Sequence, residues 1–387
     1  GLRSSMRVLI LGGDGYLGWP TALSLSQRGH DVHIIDNYSR RKLSEVLNLQ
    51  PLVPQLDLNA RIELWENVSG NKISCGLGDV TDYEYLLEQV RNFQPDSVIH
   101  YAEQPSAPYS MLGYHEARYT LTNNLISTLN LVYVVKEVNP AIHIVKLGTM
   151  GEYGTPDIDI EEGFIHIEHK GRKDRFLFPR QAGSLYHTTK IQDTDLLYFY
   201  VRVWGLCVTD LMQGPVYGMF TEEMFEEHGL ETFFSYDEIF GTVLNRFFVQ
   251  AVIDMPLMVY GNGGQTRGFL NIKDTMQCIE LALLNPPNPG KLSIYNQFTE
   301  IFSVKELASI VQRTAIDFGL KARIEHIPNP RIESEQHYYN PDNSSFKKLG
   351  LVPHLLDEKF ILEMFEYVFK HKNRISRKII KPSTVWS

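Results

Sequence analysis

Cysteine is scarce: the 387 residues hold three, Cys75, Cys207 and Cys278, far apart and in no CxxC or Cys/His grouping. That scarcity excludes a disulfide framework or a zinc ribbon and fits a reducing compartment. Long apolar runs are missing too. No stretch approaches the ~18 residues of a membrane span, and no secretory leader is visible. The expectation is a cytoplasmic protein with Met6 as its natural start and residues 1–5 as a cloning scar. Positive charge is in deficit, 37 Lys and Arg against 46 Asp and Glu, and the net charge of -9 argues against nucleic acid or an anionic membrane as partner. It does not forbid a phosphorylated ligand, because a site is set by local Arg and backbone N–H groups. What is present, 43% hydrophobic and 21% charged residues, is ordinary globular composition. At ~150 residues per domain the length predicts two domains, or one domain with an appended lobe.

Apolar runs alternate with helical periodicity through the first half, which predicts an α/β fold with a parallel sheet covered on both faces. Strands are expected at 7–11, 31–36, 73–76, 97–101, 143–147 and 207–212, with helices near 16–28, 83–93, 117–137 and 185–203. The stretch 40–71 is too long for an ordinary connection and reads as an ordered insertion. Residues 156–183 turn polar and charged, and read as an excursion over the site. Beyond 217, strand, helix and Pro-rich segments mix, with helices near 303–318 and 358–372, as in a smaller lobe completing a pocket.

Between the first strand and helix stands Gly12-Gly13-Asp14-Gly15-Tyr16-Leu17-Gly18. Gly12 permits a tight turn, Gly15 lets backbone approach a pyrophosphate, and Gly18 allows close helix–strand packing. Asp36 ends the next strand, placed to accept a ribose 2′-OH. The pattern predicts a Rossmann-type doubly wound sheet that binds a nicotinamide dinucleotide. Asp36 would repel a 2′-phosphate while Arg40 and Arg41 could attract one, and the acid at hydrogen-bond range favours NAD. Asp79 and Val80 are placed to meet the adenine, although Asp79 also suits a helix cap. Asn37, Tyr101 and Glu103 complete the candidate cofactor contacts, with Glu103 expected near the nicotinamide.

Tyr186 and Lys190 stand four apart at the start of a helix and share a face. A phenol of pKa near ~10 is a poor base at neutral pH. A neighbouring ammonium and a nicotinamide cation favour phenolate, and Lys190 can also hold the nicotinamide ribose. Thr149, at the end of an earlier strand, would help hold a substrate alcohol. These three elements resemble the short-chain dehydrogenase/reductase superfamily, and the length resembles its extended, nucleotide-sugar branch. That resemblance divides the chain into a Rossmann domain over 6–212, with insertions at 40–71 and 156–183, and a mainly substrate-binding lobe over 213–387. Arg267, in Arg267-Gly268-Phe269-Leu270-Asn271-Ile272-Lys273-Asp274, and Arg331, in Pro328-Asn329-Pro330-Arg331, could neutralise a diphosphate. Gln213, Thr242, Asn245, Arg246 and Gln265 join the uridine-diphosphate site by the same resemblance, and Gln104 joins the substrate site.

Thr149 is followed by Met150-Gly151-Glu152-Tyr153-Gly154, neither the Asp-Glu pair of sugar 4,6-dehydratases nor the small residues of epimerases. This segment is similar to the UDP-sulfoquinovose synthase family. So are Glu103-Gln104-Pro105-Ser106-Ala107-Pro108-Tyr109-Ser110-Met111, Asp157-Ile158-Asp159-Ile160-Glu161-Glu162-Gly163, Phe240-Gly241-Thr242-Val243-Leu244-Asn245-Arg246-Phe247 and His337-Tyr338-Tyr339-Asn340. The likeness runs from Arg7 to near Trp386. One departure is Pro105, where the family has Arg, which puts donor handling in doubt. The resemblance implies assembly of UDP-sulfoquinovose from UDP-glucose and sulfite, free or delivered by a donor protein, by a homodimer with tightly bound, recycled NAD and no metal. Elimination of the 6-hydroxyl would draw on Glu152 and His187, whose bland readings are a backbone anchor and a packed helix residue. Met150 would form an apolar wall. A UDP-glucose 4-epimerase, a 4,6-dehydratase and an NAD-binding scaffold stay open as alternatives, as does the destination of the sulfosugar, sulfolipid or surface glycan.

Overall fold

The computed structural model describes residues 5–224, 227–330 and 336–381. Its strands in chain order are β1 Arg7–Leu11, β2 Asp31–Asp36, β3 Ile73–Leu77, β4 Ser97–His100, β5 His143–Thr149, β6 Phe164–His169 and β7 Arg172–Leu177. There follow β8 Cys207–Gln213, β9 Val216–Tyr217, β10 Leu257–Tyr260, β11 Thr266–Asn271, β12 Leu292–Gln297, β13 Glu300–Ser303 and β14 Ile324–Ile327. Seven of them form one parallel sheet in the order β12-β8-β5-β4-β1-β2-β3. The order reverses between β1 and β4, and a crevice opens there at the carboxyl ends of the strands.

Alternation along β1 shows why both faces must be covered. Val8 and Ile10 pack with Trp19 and Leu23 of helix Gly18–Gln27 and with Cys278 and Ile279 of helix Ile272–Leu284. Leu9 and Leu11 pack on the other face with Leu86, Leu131 and Leu197, from the helices Tyr83–Phe93, Tyr114–Val138 and Leu185–Trp204. A third core, with Phe247, Phe248, Leu307 and Phe365, belongs to the later segments, whose small sheets pair β10 with β14 and β11 with β9 and β13.

The insertion at 40–71 is ordered, as two helices, Ser39–Val46 and Leu58–Ser69. The second starts at Asp57, whose side chain accepts the Ala60 N–H, and ends at Gly70 in the left-handed conformation. The excursion at 156–183 departs from expectation. It builds the antiparallel hairpin β6–β7, mostly solvent-exposed, and none of residues 156–183 lines the central cleft. Most of its side chains are exposed on both sides of the ribbon, so the polarity marked exposure and not a cover over the site.

Candidate active site

A cleft of about 460 Å³ runs from the glycine turn across the strand ends to the later segments. Gly12 has φ +87°, and a Cβ there would lie 2.8 Å from the Tyr101 carbonyl carbon. A Cβ on Gly18 would lie 2.1 Å from the Gly12 oxygen, so helix and turn touch only through glycine. Gly15 differs: a Cβ would meet nothing nearer than 3.7 Å, which leaves its backbone open to the cleft. Asp36 accepts the Asp14 N–H at 2.9 Å and the Tyr38 N–H at 2.8 Å. Burial, reinforced by the Asp14 charge, pushes its carboxyl up to about 6. A glycine cradle with an acid at its rim fits a dinucleotide. Gly12, Gly15, Tyr16, Leu17, Asp36, Asn37, Arg40, Val80, Tyr101 and Glu103 all line the cleft.

Three other cofactor candidates stand elsewhere. Gly13 faces Ile34, only 2.4 Å from where its Cβ would be, and serves packing. Asp14 is buried and ion-paired with Arg41 at 2.6 Å and with the fully buried Arg61, so Arg41 is engaged away from any 2′-phosphate. Asp79 holds its own turn, accepting from the Thr81 N–H at 2.9 Å and hydroxyl at 2.7 Å and from Asn37 at 3.0 Å. Arg40 reaches the cleft wall between Phe240 and Phe233, its guanidinium carbon 3.5 and 4.7 Å from their ring centres.

Thr149 ends β5, and Tyr186 and Lys190 open helix Leu185–Trp204, whose N-cap Ser184 accepts the His187 N–H at 3.1 Å. Thr149, Tyr186 and His187 line one stretch of cleft. Lys190 sits just behind, buried. Its ammonium donates to the Leu147 carbonyl at 2.7 Å, pairs with Glu103 at 3.0 Å and lies 5.7 Å from the Tyr186 ring centre. Burial raises the Tyr186 phenol, and Lys190 is the strongest opposing pull.

The neighbours of the triad separate. His187 reaches the cleft: its ring centre is 5.0 Å from that of Tyr186, and its Nδ1 is 2.8 Å from the Ser184 hydroxyl. It packs over Gly151, where a Cβ would lie 2.3 Å from the ring, so that glycine makes room for it. Glu152 is fully buried and does not line the cleft. A 3-10 turn over Met150–Tyr153 folds its carboxylate back to accept the Thr149 N–H at 3.3 Å, with the Thr194 hydroxyl at 2.8 Å. It is the backbone anchor of Thr149 and has no access to a substrate. Met150 is corrected likewise: it is buried in the core with Tyr153 and Phe178 and forms no wall.

Gln104, Gln213, Thr242, Asn245, Arg246, Gln265 and Arg267 all line the cleft. Gln104 is held by Thr120 and the Ser106 carbonyl, and Asn245 by the Gly218 N–H and the Tyr16 hydroxyl. The Oε1 atoms of Gln213 and Gln265 are buried with no donor among the described residues, acceptors suited to a ligand. Arg246 donates to the Gly241 carbonyl at 2.6 Å, and Arg267 to that of Thr266 at 2.9 Å. Arg331 lies outside the described residues; Asn329 and Pro330 before it line the cleft.

Sequence reasoning missed the aromatic wall of Phe233 and Phe240 and the buried ions Lys146, Asp193 and Asp210. A signal existed for two of them. Lys146 and Asp210 each interrupt an apolar strand, and the β5–β8 register sets them opposite one another, 3.4 Å apart.

Residues 8–296 match the NAD dependent epimerase/dehydratase family. The chloroplastic UDP-sulfoquinovose synthase of Spinacia oleracea is 47% identical over 380 residues, 98% of this chain and 79% of that protein. The UDP-sulfoquinovose synthase of Sulfolobus acidocaldarius is 46% identical over 385 residues, 98% of each chain. Among solved structures, UDP-glucose 4-epimerase from Bifidobacterium longum, in complex with NAD+ and UDP, superposes with a TM-score of 0.72 at 21% identity, over 95% of this chain and 99% of that one. At that identity the likeness is one of fold.

Proposed function

The chain belongs to the NAD dependent epimerase/dehydratase family and, within it, to the UDP-sulfoquinovose synthases, and from that membership we propose that it converts UDP-glucose and sulfite to UDP-sulfoquinovose. The observation that carries the reading is identity of 46–47% sustained over 98% of the chain. Thr149, Tyr186 and His187 on one stretch of cleft, with Lys190 buried just behind Tyr186, supply the chemistry. NAD, when bound, accepts hydride from C4 of the sugar and later gives it back. The glycine turn and Asp36 would hold the dinucleotide, and Lys190 would hold the nicotinamide ribose from behind Tyr186.

Thr149 positions O4 while Tyr186 removes its proton. The C4 ketone then acidifies the C5 proton. His187, the titratable group beside Tyr186 on the cleft wall, takes the C5 proton and passes it to the departing 6-hydroxyl, so that the C6–O bond breaks and water leaves. Sulfite sulfur adds to C6 of the enone, C5 is reprotonated, and Tyr186 returns the proton to O4 as the ketone is reduced. UDP-glucose and bisulfite thus give UDP-sulfoquinovose and water, with no net redox change. Gln213, Thr242, Asn245, Arg246, Gln265 and Arg267, together with Arg331, bind the uridine diphosphate. Pro105 lines the cleft, so a cation for the sulfur oxyanion must come from elsewhere on its wall, where Arg40, Arg246 and Arg267 stand. A homodimer is the assembly proposed, with 6–212 and 213–387 as the two domains. No helix of the described residues is long and apolar enough to cross a membrane.

Incubation with UDP-glucose, with and without sulfite, tests the reading by product mass. Sulfite-dependent formation of a sulfonated UDP-sugar is expected. UDP-galactose, or a 4-keto-6-deoxy sugar with no sulfur incorporated, would replace the synthase by an epimerase or a dehydratase.

A further inference from the structure

Behind Lys190 lies a set of ionisable side chains that the reaction above leaves unused. Lys146, Glu152, Asp193 and Asp210 are fully buried, and the Glu103 side chain is 3% exposed. Two ammoniums, Lys146 and Lys190, face four carboxyls, an imbalance that a low-dielectric interior does not tolerate if every carboxyl is ionised. Two cations answer the two inner carboxyls: Lys146 is 3.4 Å from Asp210 and 3.6 Å from Glu152, and Arg180 is 3.9 Å from Glu152. At the cleft end the Lys190 ammonium pairs with Glu103. His100 Nε2 is 4.0 Å from Glu103, but burial lowers that imidazole to about 4, so it brings no charge at neutral pH.

Asp193 is the group left over. Neither of its oxygens meets an N–H or O–H hydrogen-bond donor among the described residues apart from its contact with Glu103, whose own charged partner is the Lys190 ammonium at 3.0 Å. Two ionised carboxylates are acceptors only and repel; one proton between them turns the contact into a hydrogen bond. Lys190 stands on Glu103, which favours the charge there. We propose that Glu103 and Asp193 share a single proton, carried by Asp193, and that this pair is a positioning device that fixes the Lys190 ammonium behind Tyr186. Burial and the Glu103 charge both push Asp193 up, whereas Glu103 is held down against its burial by Lys190 and Asp193. The anionic member also raises the Tyr186 phenol against the pull of Lys190. Tyr186 can then take the O4 proton at the start of a turnover and still return it at the end. The pair rests on the redox half of the function proposed above and is independent of its sulfite step.

Isosteric substitutions separate proton from charge. Asp193→Asn replaces a neutral donor by a neutral donor, and Glu103→Gln removes an anion. The readout is the pH profile of NADH formation on adding UDP-glucose to NAD-loaded enzyme. D193N is expected to keep its rate within about three-fold and its acid limb in place, while E103Q moves that limb down by roughly one pH unit. A limb displaced as far in D193N as in E103Q would overturn the assignment, because Asp193 would then be ionised. The protein without substrate gives an independent check. The infrared difference between wild type and D193N at neutral pH is expected to contain the carbonyl band of a protonated acid. Its absence contradicts the proposal. Should D193N fail to fold, wild-type protein labelled with carboxyl-13C aspartate must show that band shifted by the label, and an unshifted spectrum is equally fatal. The infrared result stands even if UDP-glucose fails to reduce NAD, a failure that would instead remove the proposed function.

Discussion

Tyr186 works against its surroundings. Burial raises its phenol, so the ammonium of Lys190 and the charge of the cofactor must supply the pull toward phenolate. Tyr186→Phe is therefore expected to lower turnover about 10²–10⁴-fold, the range for loss of a positioned acid or base, while the protein still retains NAD. Kinetics with NAD content measured on the same preparation check this, and undiminished turnover removes Tyr186 from its role. Asp36 gives a pH prediction. Its carboxyl, raised to about 6 by burial and by Asp14, accepts a ribose hydroxyl most strongly when ionised. NAD affinity is expected to hold at neutral pH and to weaken as pH falls through about 6, and a Kd unchanged down to about pH 5 by calorimetry contradicts it. The placement of both residues at the cleft was legible in the sequence because it depends on local spacing, four residues along a helix and the end of a strand. Glu152 and Met150 were not. Their directions are set by the 3-10 turn after β5, which points one at the Thr149 backbone and the other into the core.

Among the elements, the turn between β1 and its helix was the most legible, because only glycine tolerates its contacts. Gly18→Ala puts a Cβ 2.1 Å from the Gly12 oxygen. A loss of about 1–3 kcal/mol is expected from such overpacking, read as a lowered Tm, together with loss of bound NAD. A variant that keeps both would show that the turn has slack. The β6–β7 hairpin teaches the opposite lesson. Its polar composition was correctly read as an excursion, but sequence carries no information on which way a ribbon projects. Since no residue of 156–183 lines the cleft, replacing residues 166–175 by an Asn-Gly turn after Ile165 is expected to leave KM and kcat for UDP-glucose oxidation within about two-fold. A ten-fold loss would mean that the hairpin touches the site in a way this structure does not show. The pairing of Lys146 with Asp210 was hidden for a third reason: it depends on strand register, which a single sequence shows only as two misplaced charges.

At the scale of the whole molecule, the sheet presents its carboxyl ends to one cleft, and the segments beyond β8 close it. The two-sided core followed from alternation and the doubly wound sheet from the glycine turn, and the parallel sheet expected over the first half is found, with β12 from the later segments added as its seventh strand. The reaction class was legible only through resemblance, because what separates an epimerase from a synthase is a few side chains whose directions depend on folding. The cleft places the glycine turn, Tyr186, His187 and the guanidinium residues Arg40, Arg246 and Arg267 within one enclosure. In the proposed reaction hydride leaves C4 and returns to C4 of the same sugar while C6 exchanges oxygen for sulfur. The most direct test is a single incubation with UDP-glucose deuterated at C4, together with sulfite and catalytic NAD, analysed by mass and NMR. The expected product is a UDP-sugar with a C6 sulfonate and deuterium kept at C4 in the gluco configuration. Deuterium lost to the NAD pool, or inversion at C4 without sulfonation, would contradict it.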